Sequence, residues 1–290
     1  MRAAVPYPGP MRMLLTSGGI ANEMIRDALV DLLGKPLADS RVVVVIDAIL
    51  GFPGDSSTLV DHLEGLRALG WAEFDIASLF AGPASLVESR LRSADVILGY
   101  GGSNLWAAHA WRASGLAPVL AELLEQKVYV GWSAGSMIFA RELDRWPAAF
   151  DDLDELALFG LDDAAPAVAL FDWFFAGHLG ADWMPGDAEE LFARGAARSG
   201  QEVWFVDDDS ALLVRDPSAP PTVISWGHWR RYGADGALVA ARSPPAERHR
   251  TGVERVSRPC LFSPSWAPLD WSQFALFQTA PEAPRSAPTP

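Results

Sequence analysis

Ser133 lies in Gly131-Trp132-Ser133-Ala134-Gly135, within the stretch VYVGWSAGSMIFARE at 128–142. A serine between glycines at this spacing fits a nucleophile elbow, in which a strand turns abruptly into a helix and holds the hydroxyl at the tip. The sequence supplies both flanks: KVYVGW reads as a strand and GSMIFARE as a helix. Glycine suits both flanking positions because a side chain there would crowd the turn. The first N–H groups of the helix would point at whatever lies beside the serine and stabilise negative charge on it. The competing reading is a small residue that merely lets a strand meet a helix. A second glycine-rich strand end, VILGYGGSNLW, carries Gly101-Gly102, where a backbone N–H can approach a substrate oxygen and form a two-donor oxyanion hole with that of Ala134. In a doubly wound sheet, ligands bind beyond the carboxyl ends of the strands, so both loops should face one crevice.

A serine nucleophile needs a base. Of the five histidines, His62 and His109 fall in helical patterns, His249 in a late charged segment and His228 between Trp226 and Trp229, where packing explains it. His178 ends the aromatic run LFDWFFAGHLG and is expected at a strand end, where catalytic residues gather. A third group should fix the imidazole tautomer. Asp151, Asp152, Asp154 and Glu155 lie between Ser133 and His178, and the residues alone do not separate them. Asp207, Asp208 and Asp209 form another strand-end cluster, suited to recognising a substrate amine.

These groups need a scaffold, and the 290 residues suffice for one large α/β domain or two small ones. Half the chain is hydrophobic, but no run reaches the roughly 20 apolar residues needed to span a bilayer. The single cysteine, Cys260, excludes an intrachain disulfide and a thiolate cluster. A net charge of −14 with no long basic run argues against nucleic acid as partner. Lys35 and Lys127, the only lysines, do not follow a loop of P-loop spacing, which removes Walker-type nucleotide chemistry. The first 19 residues lack the pattern of a secretory signal, so a cytoplasmic location is the default expectation.

Apolar and amphipathic runs then alternate: MRMLLTSGG, RVVVVIDAIL, FDIASL, ADVILGY and KVYVGW as strands, with NEMIRDALVDLL, TLVDHLEGLRALG, ASLVESRLRS and APVLAELLEQ as helices. Continuously apolar strands separated by helices predict a mostly parallel sheet covered on both faces. The segment FDDLDELALFGLDDAAP reads as an exposed connection. After it come the AVALFDWFFAG strand, the DAEELFARGAARSG helix, two strands about the turn in EVWFVDDDSALLVRD, and a hairpin-like pair in PTVISWGHWRRYGADGALVAA. The expected divisions are a flexible extension at 1–10, the αβα domain at 11–242 and a proline-rich segment at 243–290.

The order of these parts resembles peptidase family S51, the serine peptidases that include dipeptidase E (α-aspartyl dipeptidase) and, more distantly, cyanophycinase. MRMLLTSGGIANEMIRDALVDLLGKP is similar to the family's opening, ADVILGYGGSNLW to its glycine loop, VYVGWSAGSM to its nucleophile turn, AVALFDWFFAGHLG to its histidine strand and EVWFVDDDSALLV to its late acidic turn, together covering roughly 11–230. The resemblance implies a three-layer αβα sandwich like class I glutamine amidotransferase domains, with Ser133 as nucleophile, His178 as base, and Gly102 and Ala134 as oxyanion donors. It favours Asp151 as the third member, with Asp152 next; Gly101, Ser103 and Asn104 of the glycine loop, together with Asp208 of the late acidic cluster, are the residues expected at the substrate. Three departures stand out: Ser103-Asn104 where the family has Asn-Thr, Gly177 where it often has Pro, and a Ser133-to-His178 segment longer than in the dipeptidases.

The expected activity is a serine exopeptidase acting on short peptides with an acidic N-terminal residue, without metal or organic cofactor. Arg141, Arg230 and Arg231 are the cations considered for an aspartyl side chain. The expected partner is a small peptide or amide, with no nucleic acid and no membrane, and the oligomer considered is a homodimer. The alternatives are hydrolysis or transfer of another amide, such as a cyanophycin-like β-aspartyl-arginine unit or a specialised metabolite, and a non-catalytic binding protein on the same fold.

Overall fold

The valine run after Arg41 is a central strand, because β-branched side chains suit a pleated surface buried on both faces. The computed structural model describes residues 11–243. The expected extension at 1–10 and, apart from Ser243, the expected segment at 243–290 lie outside the described residues. In chain order the strands are β1 (Met13–Thr16), β2 (Arg41–Val45), β3 (Glu73–Ala77), β4 (Val96–Gly99), β5 (Val128–Trp132), β6 (Trp173–Ala176), β7 (Glu202–Val206), β8 (Ser210–Val214), β9 (Thr222–Ser225), β10 (Trp229–Tyr232) and β11 (Leu238–Arg242). A seven-stranded sheet runs β3-β2-β4-β5-β1-β8-β9, and a four-stranded sheet runs β11-β10-β7-β6. The large sheet is parallel from β3 to β1 and antiparallel at β1–β8 and β8–β9.

Side chains alternate across the large sheet and feed two cores. Leu14, Val42, Val44 and Leu98 pack with Ile25, Leu29 and Leu59 of the helices Glu23–Leu33 and Ser57–Arg67. Met13, Val43 and Ile97 face the other way, toward Val87, Leu105 and Leu120 of the helices Ala84–Ser93, Asn104–Ala113 and Ala117–Leu123. The layers are therefore αβα, as expected. The small sheet adds Phe174, Phe205 and Val203 to the second core. Among the described residues, no helix is long and apolar enough to cross a membrane.

Four local differences from the sequence reading bear on the site. RVVVVIDAIL is not one strand: β2 stops at Val45 and a helix, Asp47–Leu50, follows. The Asp47 carboxylate, 3% exposed, accepts from the Leu79 N–H at 2.9 Å and the Ser78 hydroxyl at 2.8 Å, which turns the chain out of the sheet. The helix after Ser133 covers only Ala134–Met137, because Phe139 and Arg141 leave it to hydrogen-bond with Leu170 and Phe171. The strands on either side of the 207–209 turn belong to different sheets, β7 to the small one and β8 to the large one. Of the late strands, β10 and β11 form the hairpin, whereas β9 joins the large sheet.

The expected exposed connection also contains a helix, Leu153–Phe159, closed by Gly160 in the left-handed conformation at φ 61°. None of its residues is buried, so its apolar stripe is too weak to be legible. Asp152, just before it, accepts from the Trp146 indole N–H. Burial pushes the Asp152 carboxyl up to about 6, against that hydrogen bond and with the Asp151 charge adding to the rise.

Two outcomes are expected for the scaffold. A side chain on Gly135 would run into the Gly99 carbonyl, so Gly135→Ala should cost about 3 kcal/mol in urea unfolding; near-neutral behaviour would show that the turn can shift. For Asp152 the folded pKa is above the unfolded one, so its protonated form contributes stability below about pH 4 that is lost as pH rises through about 6. Asp152→Asn should therefore be more stable than wild type above pH 6 by about 2 kcal/mol, with the two converging near pH 4; a constant difference across that range would refute the assignment.

Candidate functional site

The elbow is built by close backbone packing at the end of β5. A Cβ on Gly131 would sit 2.6 Å from the Ser136 Cα, so glycine here is a requirement of the turn. Ser133 has φ 49° and ψ −116°, a strained backbone for a non-glycine residue. Its N–H donates to the Thr16 carbonyl at 2.9 Å, the Ser136 hydroxyl donates to the same carbonyl at 2.9 Å, and the Tyr129 hydroxyl donates to the Gly135 carbonyl at 2.8 Å. These bonds tie the turn to β1 and hold the Ser133 side chain above the strand ends.

The glycine loop after β4 passes directly over it: a Cβ on Gly101 would lie 3.3 Å from the Ser133 Cβ. Gly102, at φ 131°, lies with its Cα against the Ala48 carbonyl, and the Ser103 N–H donates to that carbonyl at 3.0 Å. Ser103 also caps the next helix, its hydroxyl accepting from the Trp106 N–H at 2.9 Å. Among the described residues, neither the Gly102 nor the Ala134 N–H donates to a protein acceptor. The Ser133 N–H is taken up by Thr16, whereas the Gly102 and Ala134 N–H groups, like that of Gly101, are uncommitted among the described residues.

His178 arrives from β6 in the small sheet, with φ 68°. Its Nε2 is 2.8 Å from the Ser133 Oγ, and its Nδ1 is 2.8 Å from an Asp208 carboxylate oxygen. His178 is 8% exposed, and its ring lies with centroids 5.0 Å from that of Trp183. Ser17, at the end of β1, joins the two partners: its hydroxyl donates to the same Asp208 oxygen at 2.5 Å and accepts from the His178 N–H at 2.7 Å. Burial raises the Asp208 pKa, but the hydrogen bond and charge of His178, with the Ser17 hydrogen bond, outweigh it and hold the carboxyl below its ordinary value. Asp208 is thus kept ionised beside the imidazole.

The acid beside His178 differs from the one expected. Asp151 is exposed and forms an ion pair with Arg198 at 3.2 Å, and Asp152 is engaged with Trp146. Both lie in the short turn before the helix Leu153–Phe159, whereas Asp208, read from sequence as a contact for a substrate amine, bonds to the imidazole. Its neighbours differ in role. Asp207 is buried and accepts from the Ser210 hydroxyl and the His228 N–H, which fastens the turn between the sheets. Ser17 was missed, since a serine after a first strand carries no signal until the fold brings β1 under His178. Among the other histidines, His62 bonds to the Tyr100 hydroxyl at 2.6 Å and His109 stacks on Trp106, while His249 lies outside the described residues. The three arginines considered for an aspartyl side chain are paired elsewhere: Arg141 with Asp172, Arg230 with Glu189 and Arg231 with Glu202.

Comparison with known proteins agrees with this architecture. No curated protein matches the sequence. A Listeria monocytogenes EGD-e structure with the provisional name of a peptidase E is similar at a TM-score of 0.60 and 14% identity, over 76% of this chain and 100% of that one. A peptidase from an acI-B1 actinobacterium is similar at 0.51 and 13% identity, over 82% of this chain and 96% of that one. At such identities these likenesses concern the fold alone. The sequence profile of peptidase family S51 matches residues 13–220, and the chain belongs to that family.

Proposed function

We propose that the protein is a serine exopeptidase that hydrolyses short peptides, in which Ser133, His178 and Asp208 act as nucleophile, base and orienting acid. The observation that carries this reading is the continuous hydrogen-bonded line from the Ser133 Oγ through both nitrogens of His178 to Asp208. It begins on a serine held in a strained turn, which is where an activated nucleophile is expected.

In this mechanism Ser133 attacks the scissile carbonyl as His178 Nε2 takes its proton. The oxyanion accepts from the Gly102 and Ala134 N–H groups, which are preorganised and need no rearrangement. The imidazolium, stabilised by Asp208, then protonates the leaving amine, and water repeats the sequence in reverse to release the acyl group. Gly101 lets the loop pass close to the acyl carbon, and Ser103 and Asn104 lie next along that loop. Ser17 acts through its neighbours by holding Asp208 and the His178 backbone together.

Preference for dipeptides with N-terminal aspartate is supported by the family resemblance; the arginines considered for it are engaged by other carboxylates. A panel of L-dipeptides, Asp-X among them, tests activity and preference together. Ser133→Ala should lose about 10⁴-fold or more in kcat, and Asp208→Asn about 10³- to 10⁴-fold with little change in KM, while Asp151→Asn should stay within about twofold of wild type. A wild type that cleaves none of the panel and leaves Ser133 unlabelled by a fluorophosphonate would sink the proposal. Full activity in Asp208→Asn would remove Asp208 from it.

A further inference from the structure

The ladder between β4 and β5 ends at the pair Gly99–Gly131. Beyond it the glycine loop and the nucleophile turn still meet, Gly101 against Ser133, although the loop's backbone anchors lie on the other side. The Tyr100 N–H donates to the Val45 carbonyl at the end of β2 at 2.9 Å, and the Ser103 N–H donates to Ala48 in the helix after it at 3.0 Å. A pair of side chains, one residue before Gly101 and one before Ser133, joins the loop to the strand of the nucleophile. The Tyr100 and Trp132 rings meet edge-on with centroids 5.0 Å apart, and the two residues are 4% and 9% exposed. His62, half-buried on the helix Ser57–Arg67, completes the cluster. Its ring centroid lies 4.6 Å from that of Trp132 and 6.0 Å from that of Tyr100, and its Nδ1 is 2.6 Å from the Tyr100 hydroxyl. From the loop after β1, Gly19 backs the same indole so closely that a Cβ there would come within 2.8 Å of the ring.

Apolar rings of the same size would satisfy packing; the histidine adds direction. Among the described residues the buried Tyr100 hydroxyl has no hydrogen-bond partner except His62. Burial pushes its pKa up, so it keeps its proton, and the acceptor in reach is an unprotonated His62 Nδ1. A buried donor left without a partner is costly, so this bond holds the Tyr100 ring in one place against Trp132. We infer that His62 is a positioning residue for the reaction: through Tyr100 and Trp132 it keeps the glycine loop, and with it the Gly102 N–H, in place over Ser133. The inference rests on the serine mechanism and adds to it a side chain that bonds to none of Ser133, His178 and Asp208. Oxyanion donors act by being in place before charge develops, and a misplacement of about 1 Å can cost about 100-fold in rate. Loosening the loop should therefore slow the chemical step and leave binding alone.

Inactivation by a fluorophosphonate reports that step, because the reagent needs only the nucleophile and the oxyanion donors, and its kinact and KI separate chemistry from binding. Tyr100→Phe and His62→Leu keep comparable bulk and remove the hydrogen bond. Each should lower kinact about tenfold with KI within about twofold of wild type. The double variant should be no slower than the slower single one, because both changes remove the same bond. His62→Asn, whose amide oxygen can stand where Nδ1 stands, should recover most of the rate. A cluster with a structural role only would lower the urea midpoint and leave kinact unchanged. That result, losses that multiply in the double variant, or no recovery in His62→Asn overturns the proposal. A wild type that never reacts overturns the serine mechanism and this inference together, whereas a reactive wild type with equally reactive variants removes His62 alone.

Discussion

The site depends on the close crossing of the turn after β5 over the end of β4. Backbone meets backbone there, Gly135 on the Gly99 carbonyl and Gly131 on Ser136, with no room for a Cβ on any of the glycines involved. That contact, with the bond from the Ser133 N–H to Thr16, forces Ser133 into its positive-φ conformation. Such a conformation costs of order 1–3 kcal/mol and persists only where the surroundings over-determine it. Its return is positional: the same crossing sets the Ser133 hydroxyl beside Gly101 and leaves the Ala134 N–H without a protein acceptor.

The remaining parts come from outside the large sheet. His178 stands at the end of a small-sheet strand, and Asp208 lies on the turn that carries the chain from the small sheet to the large one. Their alignment with Ser133 therefore depends on how the two sheets are joined. Two serine–aspartate pairs do this joining. Ser210 with Asp207 fastens the turn to the start of β8, and Ser17 with Asp208 ties it to the end of β1 while also taking the His178 N–H. The neighbouring Asp207 and Asp208 divide the work: the first is consumed by backbone and hydroxyl donors, and the second is left to face the imidazole. In the same way the acidic stretch after residue 150 divides between the exposed Asp151, paired with Arg198, and Asp152 and Glu155, which burial holds at raised pKa.

The sequence by itself determined the parallel core, the elbow and the histidine. Valine runs, glycine pairs at strand ends and a serine at fixed spacing between glycines are local patterns, and each is dictated by sterics within a few residues of itself. Their order along the chain carried the family resemblance as well. Only the tertiary structure decided which carboxylate meets the imidazole. Asp151 is nearer to Ser133 in sequence and Asp208 is 30 residues beyond His178, and no local preference distinguishes a carboxylate on one acidic turn from a carboxylate on another. That choice, like the placement of Ser17 beside His178, is made by which strand ends meet in space. Hydrogen bonds between residues more than a hundred positions apart, such as Ser17 to His178 and Asp208, leave no periodicity to read.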